Sequence, residues 1–371
     1  MSTNIKYNFL TTDEKERYQK HLTLKEIGYE GQLSLKNSSV LCIGAGGLGS
    51  SVLLYLAAAG IGKIGIVDND YVEKSNLQRQ IIHETNTIGS LKIDSAQERI
   101  KKFNPNSELL TFAERINPKN ALEIIQKFDI ICDCSDNFGT RYLINDACLI
   151  LNKPLVFGSV QGFEGQVSVF NLNKTSPNLR DLLPESPSKN TVPSCAEYGV
   201  VGVSTGLIGI IQVNEIIKII LKKGEVLDGK IMVFDLLNMN TKKLHLKSDQ
   251  VNKQINNLSK FMDYYSDDEC STQTGTINRI NACDFNSLYK IKPNKILLID
   301  VRENEEFSAS AIDGSISLPL SHLNQKPDLE FIQKESLIKE VFTICKTGKR
   351  SERASKILSK FKIQSRSING C

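Results

Sequence analysis

Three glycines near residue 45 have the spacing of a phosphate-binding turn. Gly44, Gly46 and Gly49 form the pattern G-x-G-x-x-G between the apolar run VLCI and a Leu- and Ala-rich stretch. At such a turn the backbone comes close to a phosphate, and the N–H groups that open the next helix favour an anion. Asp68 and Asp70 end the next apolar run. In dinucleotide-binding folds, an acid about 20 residues after the glycine turn binds the ribose. The pattern predicts a nucleotide site and leaves open which nucleotide.

Polar residues after the following strands narrow that choice. The loop SNLQRQ (75–80) carries amides and an arginine, Lys92 follows in GSLKID, and DCSDN (133–137) ends another apolar run. Open α/β sheets bind ligands at the carboxyl ends of their strands. Cations bind phosphate oxygens and a carboxylate such as Asp136 binds magnesium, so the set favours ATP with magnesium. An NAD-dependent oxidoreductase, supported by the glycines and Asp68 alone, is the alternative function. For the single residues, Lys92 could instead be a solvated surface charge and Asp136 a helix cap.

A cysteine motif lies near the C-terminus. CKTGKRS (345–351) follows the apolar run VFTI and precedes a helix-like stretch. A thiol at this position would meet successive backbone N–H groups, Lys349 and Arg350, which stabilise a thiolate or a persulfide. The motif predicts a nucleophilic Cys345, and a buried structural cysteine is the alternative.

The elements that must position these motifs alternate between strand and helix from Ser39 onward. Such alternation with short loops predicts an α/β fold, Rossmann-like and doubly wound, with a largely parallel sheet. The polar stretch 248–276 breaks the pattern and is typical of a linker. The predicted units are therefore residues 1–247 and a small α/β module at residues 277–371.

Composition excludes several function classes. The 371-residue chain has a net charge of +4 and scattered lysines, so nothing supports nucleic-acid binding. The apolar stretch Val200–Leu221 contains Asn214, Glu215 and Lys218, which favour a buried helix over a membrane span. Nine cysteines without a C-x-x-C pair are typical of reduced thiols. The N-terminus has neither a signal nor a transit pattern. We expect a cytoplasmic protein, or one of the plastid stroma if the Lys-, Asn- and Ile-rich composition reflects an organellar gene.

The motifs of the first unit resemble those of the MoeB/ThiF family, prokaryotic relatives of ubiquitin-activating enzymes. RYQKHL, GAGGLGS, VDND, SNLQRQ, IGSLK, DCSDN and CAEYGVVGV occur in the family's order within residues 13–247. The resemblance implies ATP-dependent adenylation of the C-terminal glycine of a small ubiquitin-like sulfur carrier with a Gly-Gly tail. The small subunit of molybdopterin synthase, in molybdenum cofactor biosynthesis, is the expected carrier. A thiamine or tRNA-thiolation carrier is the alternative.

The same resemblance implies roles for individual residues. Asp68 would hold the ribose, Asp136 the magnesium ion, and loop 75–79 with Lys92 the phosphates; Arg79, Lys92 and Asp136 would be catalytic. Lys20 replaces an arginine that reaches into the other subunit's ATP site in a homodimer, and it lacks the bidentate fork, so adenylation would be slower. The implied nucleotide-binding residues are Gly47, Asp68, Ser75, Asn76, Leu77, Gln78, Arg79, Lys92, Asp136, Asn137 and Lys20 of the partner subunit.

The second unit resembles a rhodanese domain. DVRENEEF (300–307) and CKTGKRS match motifs of that domain. The resemblance implies that Cys345 takes sulfur from a persulfide donor, such as a cysteine desulfurase, and passes it to the carrier. We expect a truncated domain, because the sequence ends at SINGC where the family continues into a final helix.

Two departures from the family pattern lead to further expectations. The family holds a structural zinc with two C-x-x-C pairs; here Asn178 and Asp181 replace the first pair, and the region near residue 250 has no cysteine. We therefore expect no zinc. Cys195 matches a cysteine that acts as a thiol in some relatives and is a second candidate catalytic residue, with an inert loop cysteine as the alternative. A non-catalytic scaffold is the alternative for the whole chain.

Overall fold

The computed structural model describes residues 7–184, 199–261, 265, 278–320, 322–323, 326–345 and 348–369. The chain divides into two compact units, Met1–Cys270 (unit 1) and Ser271–Cys371 (unit 2). Each unit contains one β-sheet among the described residues, with eight strands in unit 1 and five in unit 2. Two α/β modules were predicted from the alternation of strand and helix, and both are present.

Helices and strands alternate through the first two thirds of unit 1. The described helices are α1 (Thr12–Arg17), α2 (Gln19–Leu22), α3 (Gly28–Lys36), α4 (Gly47–Ala59), α5 (Lys92–Phe103), α6 (Ala121–Ile125), α7 (Phe138–Leu151), α8 (Leu179–Leu182) and α9 (Gly202–Leu221). The strands are β1 (Ser39–Ile43), β2 (Lys63–Val67), β3 (Glu108–Phe112), β4 (Ile130–Asp133), β5 (Leu155–Gln161), β6 (Glu164–Phe170), β7 (Lys230–Asp235) and β8 (Asn240–His245).

The sheet of unit 1 has a parallel half and an antiparallel half. Its strand order is β3-β2-β1-β4-β5-β6-β7-β8. The first five strands run parallel, and the last three pair antiparallel. The reversal follows from the short turn between β5 and β6, where Gly162 has a φ of +56° and the chain folds back as a hairpin. The predicted doubly wound sheet is confirmed, and its switch point between β1 and β4 is where such sheets bind ligands.

Strand β1 lies at the centre of the core and is buried along its whole length. Val40 and Cys42 belong to a cluster that includes α4 and α9, whereas Leu41 and Ile43 belong to a cluster that includes α6 and α7. Alternate side chains of a strand point to opposite faces, so one continuous apolar run supports helices on both sides.

The helix Gly202–Leu221 is long and apolar enough to cross a membrane, and it alone passes that test in the described parts of the chain. It packs against α4, β5 and β6. A Cβ on Gly209 would lie 2.1 Å from Ser51 Oγ of α4, so the two helices approach more closely than a side chain allows. The helix is 44 % buried over its apolar stretch and packs against the core of unit 1, as predicted for a buried or half-buried helix.

Part of the segment assigned to a linker belongs to unit 1. Ile255, Leu258 and Tyr265 are buried, and Leu258 and Tyr265 join the cluster around α7. The Tyr265 hydroxyl also donates a 2.6 Å hydrogen bond to Asp146 Oδ2. The first unit thus extends beyond residue 247. A periodic signal is missing here because isolated apolar residues make these contacts, with Leu258 in a short 3₁₀ turn and Ile255 in irregular backbone.

Unit 2 has an all-parallel sheet in the order β11-β10-β12-β13-β9. Its described strands are β9 (Asn278–Asn281), β10 (Ile296–Asp300), β11 (Ser315–Ser317), β12 (Glu340–Ile344) and β13 (Ser365–Asn369). Its described helices are α10 (Ala282–Ile291), α11 (Asn304–Ala309), α12 (Lys326–Glu335) and α13 (Lys349–Lys360). Strands β10 and β12 end side by side, which brings the motifs at residues 300 and 345 to one edge of the sheet.

Candidate functional sites

The glycine turn is built so that only glycine fits at two of its positions. Gly44 follows β1 with a φ of +102°, and a Cβ there would lie 2.7 Å from the carbonyl oxygen of Cys134. A Cβ on Gly49 would lie 2.0 Å from the Gly44 oxygen. Helix α4 begins at Gly47, and no side chain caps its first N–H groups. An uncapped helix N-terminus at the switch point suits a phosphate.

Gly47, predicted to lie under the nucleotide, has a packing reason to be glycine. A Cβ there would lie 2.9 Å from the Thr205 side chain of α9. A glycine is therefore required at position 47 for α4 and α9 to pack this closely. The contact of Gly47 with a nucleotide stays a prediction.

Asp68, predicted to hold the ribose, connects the end of β2 to the glycine turn. Its Oδ2 accepts a 2.8 Å hydrogen bond from the backbone N–H of Ala45, and its Oδ1 accepts one of 2.9 Å from Asp70. Burial raises the pKa of the Asp68 carboxyl above its ordinary value. The carboxylate is held rigidly beside the turn, and each oxygen keeps a lone pair for a further donor.

The two cations predicted to contact phosphates have different surroundings. Lys92 is buried at the start of α5, and its Nζ lies 3.0 Å from Asp70 Oδ2. Arg79 is half-buried, and its Nη1 donates to the Ser75 carbonyl oxygen at 3.2 Å. No described carboxylate lies within ion-pair distance of Arg79. Among the described residues, Arg79 thus has no carboxylate to neutralise its charge, whereas Lys92 is already paired with Asp70.

Loop 75–79 separates into residues that shape it and residues that face outward. Asn76 is buried, and its Oδ1 accepts a hydrogen bond from the Glu73 N–H that closes the turn. Leu77 is half-buried. Ser75 and Gln78 are exposed. Asn76 therefore has a structural role of its own, in addition to the phosphate contact predicted for it.

Asp136 lies exposed after β4, at the carboxyl edge of the sheet. Its neighbour Asn137 caps α7, because the Asn137 Oδ1 accepts the Thr140 N–H at 2.8 Å. The capping role weighed for Asp136 thus belongs to Asn137. The exposed Asp136 carboxylate, whose Oδ1 accepts a 3.3 Å hydrogen bond from Asn137 Nδ2, is a suitable hard oxygen ligand for magnesium. This set suits a nucleoside triphosphate with a bound metal ion: the uncapped helix and Arg79 are suited to phosphate oxygens, and Asp136 is suited to the metal ion.

Two residues that sequence reasoning missed support the turn. His83 is buried; its Nε2 lies 3.0 Å from the Ala45 carbonyl oxygen and its Nδ1 lies 2.9 Å from Ser95 Oγ. A carbonyl only accepts, so we assign the proton to Nε2. Burial lowers the His83 pKa below its ordinary value. Gln80 is buried beside Gly46, and its Oε1 has no hydrogen-bond partner in the described structure. The isoleucines between Gln80 and His83, in the sequence QIIHE, were the signal that could have indicated burial of these two polar side chains.

The residues at the family's zinc positions do not fit a zinc ion. Asn178 donates from Nδ2 to the Asn252 carbonyl oxygen at 3.3 Å. Asp181 Oδ1 accepts 2.9 Å hydrogen bonds from Asp249 N and from Asn252 Nδ2. We call these four residues the polar clasp. A structural zinc site is built from Cys and His ligands, whereas these positions carry an amide and a carboxylate that are used in hydrogen bonds, and no group of three or more His, Cys, Asp or Glu in the described residues is placed to hold a metal ion. The clasp joins α8 to the segment after β8 by hydrogen bonds, and the expected absence of zinc stays a prediction.

Cys345 lies directly after β12 and is 2 % exposed. Its Sγ accepts a hydrogen bond from the Ser351 N–H at 3.3 Å. Arg350, predicted to stabilise the thiolate, instead makes a bidentate pair with Glu306, which raises the pKa of Arg350. The guanidinium therefore acts on Cys345 only through space, and among the described residues Ser351 supplies the hydrogen bond. The predicted N–H groups of residues 346 and 347 lie outside the described part of the chain. Lys349 opens α13.

Two predicted residues lie outside this geometry. Cys195 falls outside the described residues. Lys20 is exposed on α2, and its contact with a partner subunit stays a prediction.

The fold and the two sites define a nucleotide-binding α/β unit joined to a smaller thiol-bearing α/β unit. The chain belongs to the ThiF family, whose model matches residues 18–255, and a rhodanese-like domain matches residues 286–370. Both resemblances predicted from the motifs are confirmed. The chain is accordingly an enzyme of the adenylyltransferase and sulfurtransferase class.

Similar proteins cover nearly the whole chain. A probable adenylyltransferase/sulfurtransferase MoeZ of Mycobacterium tuberculosis is 40 % identical over 352 residues, which are 93 % of this chain and 88 % of that protein. A probable molybdopterin-synthase adenylyltransferase of Porphyra purpurea is 40 % identical over 94 % of this chain and 89 % of its own length. A crystal structure of E. coli MccB shares the fold, with a TM-score of 0.58 and 20 % identity over 68 % of this chain and 76 % of that one.

Proposed function

We propose that this enzyme adenylates the C-terminal glycine of a ubiquitin-like sulfur carrier with ATP and magnesium, and then supplies the sulfur. The small subunit of molybdopterin synthase is the proposed carrier, which places the reaction in molybdenum cofactor biosynthesis. The observation that carries the proposal is the joining of the ThiF unit and the rhodanese-like unit in one chain, 93 % of which aligns with a relative named adenylyltransferase/sulfurtransferase.

The residues of unit 1 suit this reaction because they would position the two substrates and neutralise the negative charge of the phosphates. ATP supplies an α-phosphorus that the carrier's carboxylate attacks, with pyrophosphate as the leaving group. The attacking carboxylate is ionised at neutral pH, so no general base is needed. Arg79 and the N-terminus of α4 would hold phosphate oxygens, and Asp136 would hold magnesium. Lys92 would exchange its contact with Asp70 for a phosphate.

Sulfur transfer in unit 2 would proceed in balanced steps. The Cys345 thiolate attacks the outer sulfur of a donor persulfide R–S–SH, the donor S–S bond breaks, and R–S⁻ leaves. The resulting Cys345 persulfide, deprotonated, attacks the acyl carbon of the adenylated carrier and AMP leaves. A second thiol then attacks the Cys345 sulfur, so that the carrier departs as a thiocarboxylate and Cys345 stays in a mixed disulfide. A cysteine desulfurase is the proposed class of donor.

Carrier-dependent exchange of labelled pyrophosphate into ATP tests the adenylation step. We expect exchange with the Gly-Gly-tailed molybdopterin carrier and none with a carrier that lacks the final glycine. A thiamine or tRNA-thiolation carrier assayed in parallel identifies the substrate, and exchange with one of those alone would overturn the molybdopterin assignment. Absence of exchange with all three carriers would contradict adenylation.

We also propose a homodimer in which Lys20 of the partner subunit completes the ATP site. Lys20 is exposed and has no described carboxylate within ion-pair distance. Replacing it with alanine should lower exchange severalfold, and Lys20→Arg should match or exceed the parent because the guanidinium binds phosphate through two parallel bonds. An active monomer in analytical ultracentrifugation would contradict the proposal.

A further inference from the structure

Ser351 offers the Cys345 sulfur two hydrogen-bonding groups. Its backbone N–H donates to Sγ at 3.3 Å, and its Oγ lies 3.6 Å from the same Sγ. Cys345 is 2 % exposed and Ser351 is completely buried. A thiolate in such a place is unstable unless protein donors replace the water that it has lost. These two groups therefore influence how much of the thiolate exists.

The Ser351 hydroxyl has one proton and several acceptors within reach, among them the Gly348 carbonyl oxygen, the more distant Ile368 carbonyl oxygen at 3.4 Å and, once it is charged, the Cys345 sulfur. While Cys345 is a thiol, its S–H donates to Ser351 Oγ, and the Ser351 O–H donates to the Gly348 carbonyl oxygen at 2.8 Å. When Cys345 loses its proton, the hydroxyl can turn toward Sγ. The Gly348 oxygen stays satisfied in that state, because it also accepts the Glu352 N–H at 3.0 Å. No buried group is left without a partner by the rotation.

Ser367 of β13 can support the rotated hydroxyl. Its Oγ lies 2.9 Å from Ser351 Oγ, and its side chain is completely buried. A hydroxyl that accepts one hydrogen bond while it donates another is a stronger donor than an isolated one. A chain of donors therefore runs from Ser367 through Ser351 to the Cys345 sulfur.

We propose that Ser351 is a catalytic residue of sulfur transfer, and that Ser367 is a positioning residue that acts through it. The proposal rests on the assignment of Cys345 as the sulfur acceptor. The Ser351 hydroxyl donates to Sγ while the sulfur is a thiolate. As the thiolate attacks the donor persulfide, negative charge moves from Sγ to the leaving sulfur. The hydroxyl then returns to the Gly348 oxygen, so one group serves both states without movement of the backbone.

The test is the pH profile of Cys345 alkylation by iodoacetamide in the full chain, with the Cys345 peptide quantified by mass spectrometry. Ser351→Ala keeps the N–H and removes the hydroxyl; we expect its midpoint to move up by about one pH unit, or about tenfold less thiolate below the midpoint. Ser367→Ala should move the midpoint in the same direction by less. The double variant should match Ser351→Ala, because the effect of Ser367 passes through Ser351.

Ser355→Ala is the matched control. Its hydroxyl is also buried on α13 but contacts Thr343 instead of Cys345, so its profile should be that of the parent. Equal shifts for Ser351→Ala and Ser355→Ala would overturn the role of Ser351, and additive shifts in the double variant would overturn the relay. If Ser351→Ala does not fold, the comparison of Ser367→Ala with Ser355→Ala decides. Alkylation needs no sulfur donor, so sulfur transfer that survives Cys345→Ser would reveal a failure of the proposed function separately.

Discussion

The two candidate sites differ in how much of their hydrogen bonding is complete without a ligand. In unit 1, Asp136 is exposed, no described carboxylate pairs with Arg79, and α4 has no side-chain cap. In unit 2, Cys345 is buried with Ser351 against its sulfur, and Arg350 is paired with Glu306. The first site is open and lacks its counter-charges, whereas the second is closed and satisfied.

The difference follows from what each ligand brings. A triphosphate carries several charged oxygens and a metal, so it supplies the partners that the open site lacks. A thiolate is a single charged atom with weak acceptor strength, so the protein must supply its donors in advance. Variants at the open site should therefore affect ligand binding and chemistry, and variants at the closed site should affect the state of one sulfur atom.

The largest expected effect separates the two sites completely. Cys345→Ser should lower thiocarboxylate formation on the order of 10³-fold or more, the scale of removing a nucleophile, while pyrophosphate exchange stays at the parent's rate. Cys195→Ser should lower it less. Both half-reactions are measured with the same carrier and persulfide donor. Thiocarboxylate at the parent's rate from Cys345→Ser would mean that the sulfur comes from another thiol.

Asp136→Ala tests the open site. Loss of the exposed carboxylate should lower pyrophosphate exchange about 10²- to 10³-fold, because a ligand of the magnesium ion that neutralises the reacting phosphates is lost. The melting temperature should change little, since the exposed side chain accepts only a 3.3 Å hydrogen bond from its neighbour Asn137 among the described residues. Glu123→Ala, which removes an exposed carboxylate paired only with Lys127, is the control and should leave exchange unchanged. Exchange at the parent's rate in Asp136→Ala would remove this residue from the site.

The polar clasp tests whether hydrogen bonds replace a metal in the scaffold of unit 1. Asp181→Ala removes the acceptor of three hydrogen bonds, two from Asp249 and Asn252 and one from the Asn178 N–H, and should lower the free energy of unfolding by about 1–3 kcal/mol. A chelator should leave the parent's melting temperature unchanged, because we expect no zinc. Stoichiometric zinc by elemental analysis would contradict that expectation.

The smallest expected effect concerns His83, beside the open site: the free energy of unfolding should depend on pH through the protonation of this residue. Burial holds the folded-state pKa below the ordinary value near 6.5, so the folded protein favours the neutral ring. Stability should therefore fall as the pH drops below about 6.5 and level off below the folded-state pKa, by about 1.4 kcal/mol for each unit of difference. Urea unfolding at several pH values, compared with His83→Gln, measures this. An identical acid dependence in both proteins would contradict the assignment.

The positions of the candidate nucleotide-site residues were predictable from sequence wherever a residue follows a strand end or lies in the glycine turn. Asp68, Arg79 and Asp136 lie at the carboxyl edge as expected, because parallel strands place the residues that follow them on one side. Leu258 and Tyr265 were assigned to a linker, because single buried residues in irregular turns leave no periodic pattern. The pairing of Arg350 with Glu306 was equally invisible, since 44 residues separate them.

The sequence by itself determined the family, the two-unit organisation, the glycine turn and the position of the thiol, because these depend on local order and spacing. Only the tertiary structure decided which groups are free to meet a ligand. It pairs Lys92 with Asp70, gives the helix cap to Asn137, places His83 under the turn and brings Ser367 to Ser351. Burial and hydrogen-bond partners depend on segments that are distant in the chain and adjacent only after folding, so the charge and donor balance of a site is a property of the folded protein.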